Sequence, residues 1–251
     1  MLKGKLSLKR ISLIQCRWGE IMKIAAVYDI HGNYHALKSV FHELEEEDVE
    51  KVIIGGDLAW GPQPREVMDF LYSQKEKFIF IMGNSDREMY EYYLNPKHPE
   101  DFVDEMNCWC VEQLTKEQLE WIVSFRKFYE IEGKLFVHGS PRSDTESIRV
   151  DTPESEVYEM IKGIEQDKMI CGHTHIQFVR EIYDKQIINA GSVGLQSRAK
   201  GACWLLLNYE EIQLKVTKYD FQKAAHSILA GECPYKEDFA EHILNPPYEG
   251  P

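Results

Sequence analysis

An α/β fold is predicted by two features of this 251-residue chain. Short apolar runs of strand length alternate with segments of helical period through the first part of the sequence. Near the end, Cys203 to Leu207 and Ile212 to Val216 follow one another with no helix between them. The alternation implies an α/β architecture, and the terminal pair reads as a hairpin. The chain should therefore form two sheets packed on each other, or one mixed sheet, with helices outside.

The elements follow in order. Lys23-Ile24-Ala25-Ala26-Val27-Tyr28, directly after Met22, reads as the first buried strand. Leu37, Val40, Phe41 and Leu44 fall at i, i+3, i+4 and i+7 and make one helix face. Asn33 is placed to cap that helix, and Glu43 to Asp48 is its solvated charged end. Val52-Ile53-Ile54 is the next strand. Pro64 suits a first helical turn, and Val67, Phe70 and Leu71 repeat the helical spacing. Phe78 to Met82 is a further strand. Residues 86–130 then depart from the alternation. They read as helical, with no strand, and carry Tyr90, Tyr92, Tyr93, Phe102, Trp109, Trp121, Phe125, Phe128 and Tyr129. This is an insert packed over the core, and aromatics in such a segment more often fill the core than bind a ligand. Leu135-Phe136-Val137, Met169-Ile170-Cys171 and Ile187-Ile188 are strands that precede the hairpin. Residues 219–245 form a helical pair with Ala224, Ala225, Ile228 and Leu229 as its apolar stripe. Residues 246–251, with three prolines, read as a frayed tail.

Composition narrows the function. The formal net charge is −13, and an acidic chain repels phosphate backbones, which excludes a general nucleic-acid-coating role. No run of about 18 apolar residues exists, so no membrane span is encoded. Six scattered cysteines make no disulfide scaffold and suit a reducing, cytoplasmic setting. Cys108-x-Cys110 lacks a second pair at zinc spacing. Residues 1–21 set five basic residues against Glu20 alone, without a secretory apolar region. They read as a disordered or mis-assigned leader, which leaves one domain over 22–245.

Five strand runs end in metal-ligand chemistry: Asp29-Ile30-His31-Gly32-Asn33, Gly55-Gly56-Asp57, Gly83-Asn84-Ser85-Asp86, His138-Gly139-Ser140-Pro141-Arg142 and Gly172-His173-Thr174-His175. Ligands at the carboxyl ends of α/β strands share one crevice. In Asp29-x-His31 and His173-x-His175 the i, i+2 spacing lets both side chains reach one site from a turning backbone. Carboxylate oxygen mixed with imidazole suits Mn, Fe, Zn or Ni better than Ca. Asp29, His31, Asp57, Asn84, His138, His173 and His175 are too many ligands for one ion with open positions. They suit two ions about 3.5–4 Å apart, bridged by one carboxylate and sharing a hydroxide that attacks phosphorus without a protein nucleophile. The other histidines, His35, His42, His98, His226 and His242, read as structural or exposed.

These blocks resemble the signature of the calcineurin-like metallophosphoesterases: Asp-x-His, Gly-Asp, Gly-Asn-His-Asp/Glu, a lone His, and Gly-His-x-His. The resemblance runs over roughly residues 22–245. His138-Gly139-Ser140-Pro141-Arg142, Asn189-Ala190-Gly191-Ser192-Val193-Gly194 and the helical insert resemble its small bacterial, diadenosine-tetraphosphatase-like branch. The resemblance implies a four-layer αββα sandwich of two mixed sheets with outer helices and a helical insert. It implies Asp29, His31 and His175 at one metal ion, Asn84, His138 and His173 at the other, and Asp57 bridging. The implied enzyme hydrolyses phosphodiester or phosphoanhydride bonds of a small phosphoester or nucleotide, dinucleoside polyphosphates among them. Asp57, Asn84 and Arg142 are its expected catalytic residues, with Arg142 either on a substrate phosphate or capping a loop.

Two departures shape the expected substrate. Ser85 stands where the family block carries the His assigned as general acid. General acid catalysis is worth roughly 10²–10⁴-fold, so its loss penalises alkoxide leaving groups and spares anhydrides and aryl esters. Gly56-Asp57-Leu58-Ala59-Trp60-Gly61 lacks the Asp-Arg-Gly continuation of serine/threonine phosphoprotein phosphatases, which weakens that alternative. A non-catalytic, partner-binding scaffold on this fold would have lost ligand residues, and all seven are present. Arg87, Tyr90, Tyr92 and Tyr93, just after the Asn84 loop, are the expected platform for a nucleotide.

Overall fold

The computed structural model describes residues 22–251, and the leader expected over 1–21 lies outside the described residues. In chain order the elements are β1 (Lys23–Val27), α1 (Tyr34–Glu46), β2 (Lys51–Ile54), α2 (Pro64–Tyr72), β3 (Ile79–Phe80), α3 (Asn84–Leu94), α4 (Phe102–Gln113), α5 (Lys116–Ile122), β4 (Phe128–Ile131) and β5 (Lys134–Val137). There follow α6 (Glu154–Ile161), β6 (Lys168–Cys171), β7 (Phe178–Ile182), β8 (Lys185–Asn189), β9 (Ala202–Asn208), β10 (Glu211–Thr217), α7 (Phe221–Leu229) and α8 (Lys236–Leu244).

Two mixed five-stranded sheets form, in the orders β10-β9-β1-β2-β3 and β4-β5-β6-β8-β7. β1, β2 and β3 run parallel, β9 joins β1 antiparallel, and β9–β10 is the expected hairpin. Three apolar clusters set the layering. Between the sheets lie Ile24, Tyr28 and Ile53 of one and Phe136, Ile170 and Ile188 of the other. Outside the first sheet, Leu37, Val40, Val67, Leu71, Ile228 and Ile243 bury the faces of α1, α2, α7 and α8. Outside the second, Val157 and Ile161 of α6 pack on Leu135, Val137 and Met169. This helix–sheet–sheet–helix stack is the four-layer sandwich, and each face is apolar because it is covered. Asn33 caps α1 as expected, its Oδ1 accepting from the Ala36 amide at 3.0 Å.

Three expectations are corrected. Phe128 to Glu130, assigned to the helical insert, belong to β4, which pairs antiparallel with β5 across a turn at Glu132 and Gly133. β7 was not expected at all. Both are edge strands, where solvent faces one side and residues such as Glu130 and Arg180 break the apolar run that marks a buried strand. The tail is not frayed. The Arg198 amide donates to Pro247 O at 2.8 Å, Arg198 Nε donates to Tyr248 O at 2.9 Å, and Arg149 donates to Gly250 O.

Candidate metal centre

Asp29, Asp57, Asn84, His138 and His173 each follow a strand end, of β1, β2, β3, β5 and β6 in turn, and the sheet pairing brings all five loops to one edge. The backbone is bent hard there. Asp29, His31, Asp57, His173 and His175 have φ of 54°, 44°, 56°, 65° and 55°. L-residues with side chains avoid this left-handed region, and its concentration at one site marks a surrounding structure built to hold it. The neighbouring loop makes that structure. The amides of Val193 and Gly194 donate to Tyr28 O and Asp29 O, and Ser192 Oγ donates to Asp29 O at 2.7 Å. A methyl group at Gly194 would lie 1.8 Å from Ile30 O, so only glycine lets the two loops touch.

Two triplets result. Potential ligand atoms of Asp29, His31 and His175 lie within 4.8 Å of one another, and so do those of Asp57, His138 and His173. Asp57 Oδ2 is 3.5 Å from the Nε2 atoms of both His31 and His138, one from each triplet. Asn84 Oδ1 is 3.1 Å from His138 Nε2. Each donor is oriented from behind. His31 Nδ1 donates to Trp60 O at 3.0 Å and His138 Nδ1 to Gly55 O at 2.8 Å, which turns both Nε2 atoms toward the centre. The His173 amide donates to Asp29 Oδ2 and the Ser85 amide to Asp57 Oδ1, leaving one carboxylate oxygen of each aspartate facing inward.

Asp29 Oδ1 is buried with no hydrogen-bond partner. The Nε2 atoms of His31 and His175 face each other at 3.0 Å. Burial, partly offset by Asp57, lowers the His31 pKa, and burial with the charge of His31 lowers that of His175 further. Burial and the His138 charge bring His173 down to about 4. His138 differs: although burial opposes it, the Asp57 charge raises it to about 10. Burial alone would raise Asp57, but His138 and His31 hold its carboxyl well below the carboxylate range. Burial, opposed by His138 and reinforced by Asp57, pushes Asp29 well up. Carboxylates and imidazoles converging on one buried centre, three of the imidazoles shifted toward the neutral form and His138 held charged by Asp57, are what divalent ions satisfy by displacing the remaining proton.

Of the other expected residues, Arg142 does not join the site. Its guanidinium holds Glu146 and Glu159 O, and it does not line the crevice. That is the loop-capping alternative. Arg87 is bound to Asp144 at 2.7 Å. Tyr92 donates to Lys97 O, Tyr90 and Tyr93 pack on each other, and none of the three lines the crevice. Residues not foreseen do line it: Trp60, Phe102, Phe239 and His242. His242 Nε2 lies 3.0 Å from Gln196 O. Asp86, noted only as part of its block, accepts the amides of Asp57, Leu58 and Gly83 at 2.8, 3.0 and 3.1 Å and ties the β2 and β3 ends together.

Comparison with known proteins agrees. The calcineurin-like phosphoesterase superfamily domain matches residues 22–211. An uncharacterised protein of Methanocaldococcus jannaschii is 24% identical over 243 residues, covering 84% of this chain and 93% of its own. The symmetrical bis(5'-nucleosyl)-tetraphosphatase of Buchnera aphidicola is 25% identical over 174 residues, 66% of this chain and 59% of its own. Among solved structures, a Pyrococcus horikoshii protein superposes with TM-score 0.77 at 19% identity, covering 89% of this chain and 98% of its own. A metallophosphoesterase of Sphaerobacter thermophilus superposes with TM-score 0.72 at 19% identity, covering 90% and 99%. With the family domain matched over most of its length, the chain belongs to the calcineurin-like phosphoesterase superfamily.

Proposed function

We propose that the chain is a dinuclear-metal hydrolase of phosphoesters whose leaving groups are stable as anions. The observation that carries this is the convergence of two carboxylate–imidazole triplets, with Asp57 Oδ2 at 3.5 Å from a histidine of each. Asp29, His31 and His175 would hold one ion, Asn84, His138 and His173 the other, and Asp57 both. When bound, two divalent ions would supply Lewis-acid polarisation of a phosphoryl oxygen and a water of lowered pKa. The chain's own contribution is orientation. Backbone carbonyls fix the His31 and His138 rings, backbone amides fix the Asp29 and Asp57 carboxylates, and Asp86 fixes the loops that carry Asp57 and Asn84. Ser85 lines the crevice with its Oγ buried and without a partner, so no imidazole stands there to protonate an alkoxide. This supports diesters, anhydrides and aryl esters as substrates.

The protein saturated with Mn and freed of excess metal should contain two ions per chain and hydrolyse bis(p-nitrophenyl) phosphate. Asp57→Asn should weaken both ions together and lower turnover by about 10²-fold or more. At most one ion per chain in the parent protein would contradict the dinuclear reading.

A further inference from the structure

The metal centre opens into a cavity of about 520 Å³, and its walls carry two features that ion binding does not explain. One wall is aromatic. Trp60 sits 5.8 Å from the His31 ring, and Phe102 and Phe239 meet Trp60 edge to face at 5.6 and 6.0 Å. Val103 and Leu195 extend this surface. Phe102 and Val103 are each 41% exposed beside this wall, and the Trp60 indole N–H is buried with no acceptor. The second feature is charge. Glu88, Asp238 and Glu249 line the cavity and, among the described residues, no Lys or Arg does. Two of these carboxylates already hold guanidinium groups at the rim, Glu88 that of Arg87 at 3.5 Å and Glu249 that of Arg198 at 3.7 Å.

We infer that this cavity is a leaving-group subsite for a planar aromatic group on a singly charged phosphodiester, and that it disfavours polyphosphate chains. The inference rests on the phosphoesterase reading and names its substrate class. Two divalent ions against the carboxylates of Asp29 and Asp57 leave about two positive charges, enough for one diester anion. A polyphosphate needs further cations along its length, and here the rim guanidinium groups of Arg87 and Arg198 are already engaged by Glu88 and Glu249, with Asp238 beside them. The aromatic wall begins one ring away from His31, so the group esterified to a phosphate at the metals is the one that reaches it. In the reaction the oxygen of water forms the new P–O bond, water gives up one proton to solvent, and the P–O bond to the leaving group breaks. The leaving oxygen takes the electron pair and departs as an aryloxide, which needs no protonation from position 85.

The test separates the subsite from the hydrolysis. Calorimetry on the Mn-loaded protein should show phenylphosphonate binding about tenfold more tightly than methylphosphonate, the order expected for one ring against an aromatic wall. Phe102→Ala should cut that preference to threefold or less, with ion content and melting temperature unchanged. Bis(p-nitrophenyl) phosphate should exceed diadenosine tetraphosphate in kcat/KM by about 100-fold, and Asp238→Asn with Glu249→Gln should narrow the gap. Equal binding of the two phosphonates, failure of both to bind, or a preference for the tetraphosphate would overturn the subsite. Phenyl preference in a protein that turns over no phosphoester would support the subsite and remove the hydrolase reading instead.

Discussion

At the scale of single residues, the pH behaviour of ion uptake should follow His138, one of the proposed ligands. Asp57 holds it protonated up to about pH 10 in the ion-free chain, whereas His173 is already neutral above about 4 and His31 and His175 are also lowered. An ion needs the Nε2 lone pair, so uptake at pH 7.5 must expel the His138 proton. The raised pKa fixes the sign: ion affinity should climb with pH until about 10 and fall as protons reclaim His138. Calorimetric titration of Mn in two buffers of different ionisation heat should show release of at least one proton per chain. A heat independent of buffer would mean that His138 is not a ligand. The seven candidate ligands were legible because each interrupts an apolar strand run with a coordinating side chain. The residues around them were not. His242 reaches the crevice only because α8 folds back from a point some hundred and sixty residues beyond Asn84 in the chain, and no local pattern reports that return. Tyr90, Tyr92 and Tyr93 were plausible by proximity to the Asn84 loop, but a helix turns successive residues about its axis, and theirs face the insert's own packing.

At the scale of elements, the site depends on how closely strand-end loops approach one another. Gly172 lies at the end of β6, and a methyl group there would fall 2.5 Å from both Asp29 Oδ2 and the Tyr28 ring. Tyr28 is fully buried between the sheets and donates to Ile170 O, so it has nowhere to go. Gly172→Ala should therefore displace Asp29, cost about 1–3 kcal/mol of stability as an overpacked core does, and weaken the Asp29 ion before the Asn84 ion. Thermal unfolding together with ion content checks this; two full-affinity ions in a Gly172→Ala protein of parental stability would show that the loops can separate. The same loops explain what was readable in the elements. Buried central strands announce themselves as continuous Val, Ile and Leu, and the β9–β10 hairpin by the lack of an intervening helix. The edge strands β4 and β7 span only four or five positions, and Glu130 and the Arg180-Glu181 pair break their apolar runs without a regular period, so neither is distinguishable from a loop.

At the scale of the whole molecule, the two chain segments after β10 close the crevice that the two sheets open. α8 contributes Asp238, Phe239 and His242 to the wall, and residues 247 and 249–251 complete it. Three prolines made the tail read as unanchored, because proline lacks the amide that would dock it. It docks instead through its carbonyls, which accept from Arg149 and Arg198, about a hundred and about fifty residues from their partners in the chain and invisible to any local pattern. The Arg198 guanidinium also lies 4.4 Å from the Tyr248 ring. Gly250 presses on the ligand loop itself, since a methyl group there would sit 2.2 Å from Thr174 O, between His173 and His175. The tail therefore acts on substrate walls more than on the core. Surface contacts of this kind are each worth about 0.5–1.5 kcal/mol, so removing residues 246–251 should lower the melting temperature by only a few degrees. The same deletion should leave two ions bound and raise KM for bis(p-nitrophenyl) phosphate several-fold. Gly250→Ala, which lifts the tail without shortening it, should move KM in the same direction. If the shortened protein keeps the parental KM, the tail merely rests on the loop and the crevice is bounded by α4 and α8 alone.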